Sequence, residues 1–286
     1  MKLVITSDLH QRIAKWNDLV LTVETERPRF VLIAGDLLPK AGFKEQKAFF
    51  ADMRRWFHDM KQLGPVTVLT YFCNDDAHVL EPLLEQLQAE GLCVNLNGRV
   101  HREEGLVFCG MNKVRDYPFG YKHWCVPDGD YVACAQQFCG EGLTLDERGN
   151  YVRLNSLVDY LSAKPSIADE LDRLKSQLRP GEMERSVWMV HQPPTGLGMD
   201  ICADGRQVGS PTILTFIQKN KPLAGCSGHI HESPYQPGGK WVARVGKTVW
   251  VQPGQVDYRL HYVSLEITRR FTVTKIRHSI FGPDRA

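Results

Sequence analysis

The sequence predicts an α/β protein, a mainly parallel sheet covered by helices and followed by antiparallel strands. Three observations carry this reading. In the first hundred residues, short apolar runs alternate with longer segments of helical periodicity. The apolar runs of that region end on acidic or amide residues, and ligands of such sheets gather at the carboxyl ends of the strands. After residue 92 the pattern changes to hairpin-like segments with turn signals between them.

Taken in order, residues 3–7 read as a short buried strand ending at Asp8, and 12–25 as a helix. Residues 30–34 form a second strand ending at Gly35-Asp36. Residues 44–62 repeat Phe49, Phe50, Met53, Trp56, Phe57 and Met60 at three- and four-residue steps, a helix whose aromatic face is core rather than a ligand box. Residues 66–72, rich in β-branched side chains, form a third strand ending at Cys73-Asn74-Asp75-Asp76. A helix over 77–89 follows, stopped by Gly91. Residues 93–96 and 106–111, with the Asn97-Gly98 turn between them, read as antiparallel strands.

Residues 112–165 read as an insertion of loops and short helices beside the active site, holding Tyr117, Phe119, Tyr121, His123 and Trp124. An amphipathic helix is expected over 167–178, a strand over 186–190 ending at His191, and a short helix over 211–219. Residues 223–226 run as a strand into Ser227-Gly228-His229-Ile230-His231. Residues 241–280 alternate in period two and predict antiparallel strands. No internal repeat is visible.

The chain has 286 residues, 43% hydrophobic and 24% charged, as in a soluble globular protein of one large domain or two ordinary ones, and one domain over residues 1–286 with the insertion at 112–165 is the expectation. Lys and Arg number 35 against 33 Asp and Glu, a net charge of +2, so whole-protein charge argues for neither nucleic acid nor an anionic membrane. No apolar stretch approaches the roughly 18 residues of a membrane span, and the N-terminus lacks a signal peptide's apolar core. A cytoplasmic location without a membrane partner is the expectation. None of the eight cysteines forms a CxxC pair, and several sit in apolar runs, as reduced buried thiols would.

Asp8 and His10 form a D-x-H pair, and residues two apart on an extended segment face the same way. His229 and His231 repeat that geometry. With Asp36, Asn74 and His191, five strand ends offer carboxylate, amide and imidazole ligands and no thiolate, a set suited to Mn, Fe, Zn, Ni or Mg in a dinuclear site.

The series Asp8-Leu9-His10, Gly35-Asp36, Asn74-Asp75-Asp76, His191 and Gly228-His229-Ile230-His231 resembles the calcineurin-like metallophosphoesterases, whose pattern runs D-x-H, G-D, G-N-H-[D/E], H, G-H-x-H in this order. Val251-Gln252-Pro253-Gly254 adds the strand-end Pro-Gly of that family, so the resemblance covers residues 2 to 265. Asp200, Gly209-Ser210 and Glu232-Ser233 look like its bacterial and archaeal Icc-related branch. The resemblance implies an α/β sandwich, two central mixed sheets flanked by helices. It implies two divalent metal ions, one held by Asp8, His10 and His231, the other by Asn74, His191 and His229, with Asp36 bridging. A hydroxide between the metals would then hydrolyse a phosphodiester or phosphomonoester of a small or medium substrate.

One block departs from the family pattern. Cys73 stands for its glycine and Asp75 for its histidine, the residue that steadies the transition state or protonates the leaving group. Asp75, or His78 one turn later, are the candidates to take that role. Two rival functions remain. A nuclease acting on single-stranded nucleic acid would use Lys113, Arg115, Tyr117, Tyr121, Lys122 and Trp124, a case diluted by Asp116, Asp128, Asp130 and Glu141. A scaffold without metal is opposed by the filled ligand positions.

Overall fold

The central strands alternate their side chains between two apolar layers, and that alternation builds the architecture. In the computed structural model, which describes residues 1–10, 12–115, 121–128 and 142–284, one sheet contains β1 (Lys2–Thr6), β2 (Phe30–Ile33), β3 (Thr67–Thr70) and β4 (Val94–Asn95) in parallel. Strands β13 (Val263–Ile267), β14 (Val273–His278) and β15 (Gly282–Pro283) extend it antiparallel from β1, giving seven strands. A second sheet of six carries β6 (Leu106–Met111), β9 (Ser186–Val190), β10 (Ala224–Cys226) and β12 (Thr248–Val251) in parallel. The antiparallel strands β5 (Val100–Glu103) and β11 (Val242–Val245) edge it.

Leu3, Ile5, Phe30, Leu32 and Leu69 of the first sheet pack against Phe108, Val187, Met189 and Val251 of the second, with the Phe30 and Phe108 rings 4.7 Å apart. The alternate residues Val4, Val31, Ile33 and Val68 face outward onto α1 (Ile13–Glu26) and α2 (Phe43–Gln62). The aromatic stripe of α2 is core as expected, with Trp56 stacked on Trp16 at 5.2 Å. On the other side Trp188, Val190 and Trp250 meet α5 (Ile167–Lys175) and α6 (Pro211–Asn220). Strands covered on both faces need continuous apolar sequence, which β1, β2, β6 and β9 have. The mixed α/β sandwich of two sheets flanked by helices therefore stands.

The hairpin expected from 93–96 to 106–111 is corrected. β4 joins the first sheet, with Leu69 opposite Val94, while β6 pairs with β5 in the second. The Asn97-Gly98 turn hands the chain from one sheet to the other, its Asn97 N–H donating to Asn95 Oδ1 at 3.0 Å. The hairpin turn is Glu104-Gly105, both residues in the left-handed region (φ 50° and 82°), as a two-residue type I′ loop requires. The tail is likewise divided, β11 and β12 in one sheet and β13 to β15 in the other.

Within 112–165 the described residues form a small hairpin, β7 (Leu143–Leu145) with β8 (Tyr151–Arg153), and the short helix α4 (Leu157–Ser162), besides α3 (Glu81–Ala89) upstream. Asp116, Tyr117, Pro118, Phe119, Asp130, Cys134, Cys139 and Glu141 lie outside the described residues. Cys73, Cys93, Cys109, Cys125 and Cys226 are buried free thiols, and Cys202 is partly exposed. Among the described residues no helix is long and apolar enough to cross a membrane.

His278 shows how the β13–β14 end is tied down. Its Nε2–H donates to Pro253 O at 2.8 Å, and its Nδ1 accepts the Ile280 N–H at 3.0 Å, so the ring must be neutral. Burial pulls it down to about 4. The folded value lies below the unfolded one near 6.5, so its contribution of roughly 3 kcal/mol is present above about pH 6.5 and is lost as pH falls toward about 4. Urea unfolding of His278→Gln at pH 7 and pH 4.5 should show a shallower loss of stability than the parent; an equally steep loss would contradict this account.

Candidate metal centre

The parallel strands of both sheets end at one place. β1 delivers Asp8 and His10, β2 Gly35-Asp36, β3 Asn74, β9 His191, and β10 His229 and His231. Asp8, His10, Asp36 and His231 each put a ligand atom within 4.8 Å of the others. His191 Nε2 lies 3.4 Å from Asp36 Oδ2 and 3.8 Å from Asp8 Oδ1. His229 completes the group, with Nδ1 2.9 Å from Asn74 Oδ1 and its backbone N–H on Asp8 Oδ1 at 3.1 Å. All seven residues singled out in the sequence are thus brought together.

The loops achieve this by unusual backbone rather than by the extended segments expected for the Asp8–His10 and His229–His231 pairs. Of the eight non-glycine residues with positive φ among the described residues, four are Asp8, His10, Asp36 and His229. Such conformations persist where the surroundings dictate them and cluster at functional sites. The two loops are stitched by Asp8 N–H to Gly35 O and His10 N–H to Asp36 O, both at 3.0 Å. At Gly35 (φ 90°) a Cβ would fall 2.7 Å from Cys73 Cβ and 2.8 Å from His191 Nδ1, so only glycine fits.

Outer hydrogen bonds fix the imidazoles. His191 Nδ1 donates to Ala34 O at 2.6 Å and His10 Nδ1 to Leu38 O at 3.3 Å, leaving each Nε2 turned inward. His10 Nε2 and His231 Nε2 face each other at 3.4 Å, and Asp8 Oδ2 and His191 Nε2 are buried without a hydrogen-bond partner. Orphaned lone pairs converging between two carboxylates form a set that fits divalent cations.

The charge balance agrees for the two carboxylates and for His10 and His229. Burial raises the Asp8 and Asp36 carboxyls, but the surrounding histidines, His231, His191 and His10, outweigh it and hold both below the usual carboxylate range. Burial pulls His10 down to about 4 and His229 down to about 3, as neutral ligands require. Burial also opposes a charge on His191, yet Cys73 and Asp36 beside it raise its pKa. Burial pushes the Cys73 thiol up to about 12, and its Sγ–H donates to Asn112 O at 2.9 Å.

The two acids after Asn74 have separate tasks. Asp76 turns into the protein, accepting the N–H groups of Leu37 (3.1 Å), Leu38 (2.7 Å) and Cys73 (2.9 Å), and so clamps the β2 loop to the β3 loop. Asp75 turns to the site, 4.0 Å from His10 Nε2 and 3.0 Å from Lys40 Nζ. Burial and the Asp36 charge raise the Asp75 carboxyl, and Lys40 works against that rise. The His78 ring packs on His123 at 4.9 Å and edge-on to Trp124 at 6.4 Å.

Lys40 and Gln255 were not anticipated. With Asp8, His10, Arg12 and His231 they line an open cleft of about 370 Å³ over the centre. Gln255 is a hub: its N–H donates to His231 O (2.9 Å), its Nε2 to Thr6 Oγ1 (3.0 Å), and its Oε1 accepts from buried Lys15 (2.6 Å). Gln255 directly follows the Pro-Gly at 253–254, the one sequence signal for it. Asp200, Ser210 and Ser233 prove to be braces: Asp200 Oδ2 takes the Gly209 N–H (2.9 Å), Ser210 Oγ that of Ile213 (3.1 Å) and Ser233 Oγ that of Ile201 (3.0 Å).

This fold and centre define a metal-dependent phosphoesterase class. The family model for calcineurin-like phosphoesterases matches residues 1–233, and the chain belongs to that family. Among solved structures it is similar to a dimetal phosphatase from Danio rerio (13% identity, TM-score 0.60, 100% of this chain and 96% of that one). It is also similar to the protein TT1561 of Thermus thermophilus (14% identity, TM-score 0.57, 96% of each chain). A third similar structure is GAP50, described as the anchor in the inner membrane complex of Plasmodium (11% identity, TM-score 0.50, 99% of this chain and 85% of that one). At these identities the likeness establishes the fold alone. No curated protein matches the chain at a significant level.

Asp75 and Asp76 give a direct test. Asp76→Ala orphans three backbone N–H groups, at about 1–3 kcal/mol for each that stays buried and unpaired. Asp75→Ala keeps the backbone bond from Asp75 N–H to Asp36 Oδ1 at 3.0 Å. Urea unfolding should show a loss of about 3 kcal/mol or more for the first and about 1 kcal/mol or less for the second; similar losses would refute the division of roles.

Proposed function

We propose that the chain hydrolyses phosphoesters of small or medium substrates, mono- or diesters, at a dinuclear centre. In this reading Asp8, His10 and His231 hold one divalent ion, Asn74, His191 and His229 the second, and Asp36 both. The observation that carries it is the convergence of five strand ends on buried, unpartnered Asp8 Oδ2 and His191 Nε2. Bound ions would act as Lewis acids on the phosphoryl group and lower the pKa of water.

The protein's own residues orient and bind. The outer hydrogen bonds of His10 and His191 aim their Nε2 atoms, and the N–H groups of Asp75 and His229 aim the carboxylates of Asp36 and Asp8. Burial and the Asp36 charge raise the Asp75 carboxyl, but its ion pair with Lys40 at 3.0 Å favours the charged form, which argues against it as the general acid. The packing of the His78 ring on His123 and Trp124 argues against it as a substitute acid.

The nuclease reading is weakened by where its basic residues go. Lys122 is fully buried, Lys113 lies over the Trp124 ring at 4.5 Å, and Arg115 donates to Gly209 O at 2.7 Å. The scaffold reading is opposed by the complete ligand set.

Two measurements test the proposal. Elemental analysis of metal-reconstituted protein should give about two ions per chain, and Asp36→Asn should lower that more than any other single ligand change; a value near zero with all seven side chains intact sinks it. Rates across esters of graded leaving-group pKa should fall steeply, because general acid help is worth ~10²–10⁴-fold. Asp75→His should leave metal content alone and flatten the slope, and a parent rate that ignores leaving-group pKa would mean another acid is present.

A further inference from the structure

Beside the cleft, on the far side of Asp75, aromatic rings gather. A narrow crevice, with no room for a water molecule, is walled by Phe43, Asp75, Tyr121 and His123 among others. Its rings continue outward as a ladder, His123 to Tyr121 at 5.7 Å and Tyr121 to Tyr151 at 5.7 Å with planes 29° apart. The two tyrosine hydroxyls are joined at 2.7 Å, which fixes the pair as one platform. Tyr151, 53% exposed on β8, presents its ring to solvent. An added Cβ on Gly42 would lie 3.2 Å from the Tyr151 hydroxyl. The platform therefore borders the segment that carries Lys40, two residues before Gly42, and Lys40 reaches Asp75 at 3.0 Å.

This surface is continuous with the candidate centre through Asp75, which borders the crevice and stands 4.0 Å from His10 Nε2. The crevice is too narrow for a ring to enter, so a planar group would lie across the tyrosines with its ester end toward Asp75. An exposed large aromatic held rigid by a neighbour offers stacking at low entropic cost.

We propose that the Tyr121–Tyr151 platform is a leaving-group subsite, and that the substrate class is phosphoesters of aromatic alcohols, phenolic esters above all. This deepens the function proposed above and rests on it. The ring stacks on the tyrosines while the phosphoryl group lies in the cleft, and the P–O bond to the phenol breaks, water supplying the group that replaces the phenolate. The same phenol could belong to a small metabolite or to a tyrosine side chain of a peptide.

The test uses metal-reconstituted full-length protein. kcat/KM is compared for phenyl phosphate and a fluoroalkyl phosphate of matched leaving-group pKa, so ring recognition is separated from leaving-group chemistry. Phenylphosphonate and methylphosphonate binding by calorimetry gives a readout independent of turnover. The parent should favour the aryl member of each pair by about tenfold or more. Tyr151→Ala should erase most of that ratio with metal content unchanged, and Tyr151→Trp should retain it. A phosphotyrosyl peptide against phenyl phosphate then tells the source, and either ranking supports the subsite. Hydrolysis with an aryl ratio near one, or a ratio unmoved in Tyr151→Ala, overturns this inference alone. Absence of both metal uptake and hydrolysis takes down the reading of the centre and this inference with it.

Discussion

Two carboxylates that should not be buried together set the terms for the rest of the molecule. Asp8 and Asp36 are each only 1% exposed, and burial alone would drive protons onto both. They stay ionised because opposite charge and N–H dipoles are brought from several elements. Asp8 takes the His229 N–H and faces His231 Nε2 at 3.2 Å; Asp36 takes the Asp75 N–H and faces His191 Nε2. Those partners come from β3 in one sheet and β9 and β10 in the other, so the two sheets must end at the same point.

The strain of meeting there is borne by the core. Left-handed backbone at Asp8, His10, Asp36 and His229 costs on the order of 1–2 kcal/mol at each residue. Each strained loop follows a strand whose end is buried, such as β1, β2 or β10, and that cannot shift without opening an apolar layer. Asp76 and Gln255 are the cross-ties. One binds the β2 loop to the β3 loop, the other binds the His231 segment back to Thr6 at the end of β1. Lys15, a fully buried ammonium, is tolerable because Gln255 Oε1 meets it at 2.6 Å.

Much of this was legible because it is local. A short apolar run ending on Asp, Asn or His states both the strand and the place of a candidate side chain, which is why the seven residues that converge could be named from the sequence. The helical aromatic stripe of α2 was equally plain. What failed depended on partners distant in the chain. Asn97-Gly98 has the composition of a hairpin turn, yet β4 finds better pairing beside β3, so the turn becomes a crossing between sheets. Asp75 and Asp76 are identical in type and adjacent, and only the orphan N–H groups of Leu37, Leu38 and Cys73 decide which one turns inward. Lys40 and Tyr151 carry no motif; their place beside Asp75 and Gly42 arises from the packing of loops.

The departure at position 75 follows from that same division of labour. The backbone N–H of this residue donates to Asp36 Oδ1, and any residue type except proline supplies that bond. The side chain is therefore free to differ from the family histidine, but an aspartate adds a third carboxylate near two that are already buried. Uncompensated, it would raise the field against its neighbours. Lys40 answers that charge at 3.0 Å from a segment whose course is already fixed by Asp76 and by Gln46, whose Nε2 donates to both Pro39 O (2.9 Å) and Asp75 O (2.6 Å). The lysine and the aspartate are thus one electrostatic unit. Replacing Lys40 leaves Asp75 facing the Asp36 charge without its counter-ion. The pair sets the charge beside the seven converging side chains without disturbing them or the strands behind them.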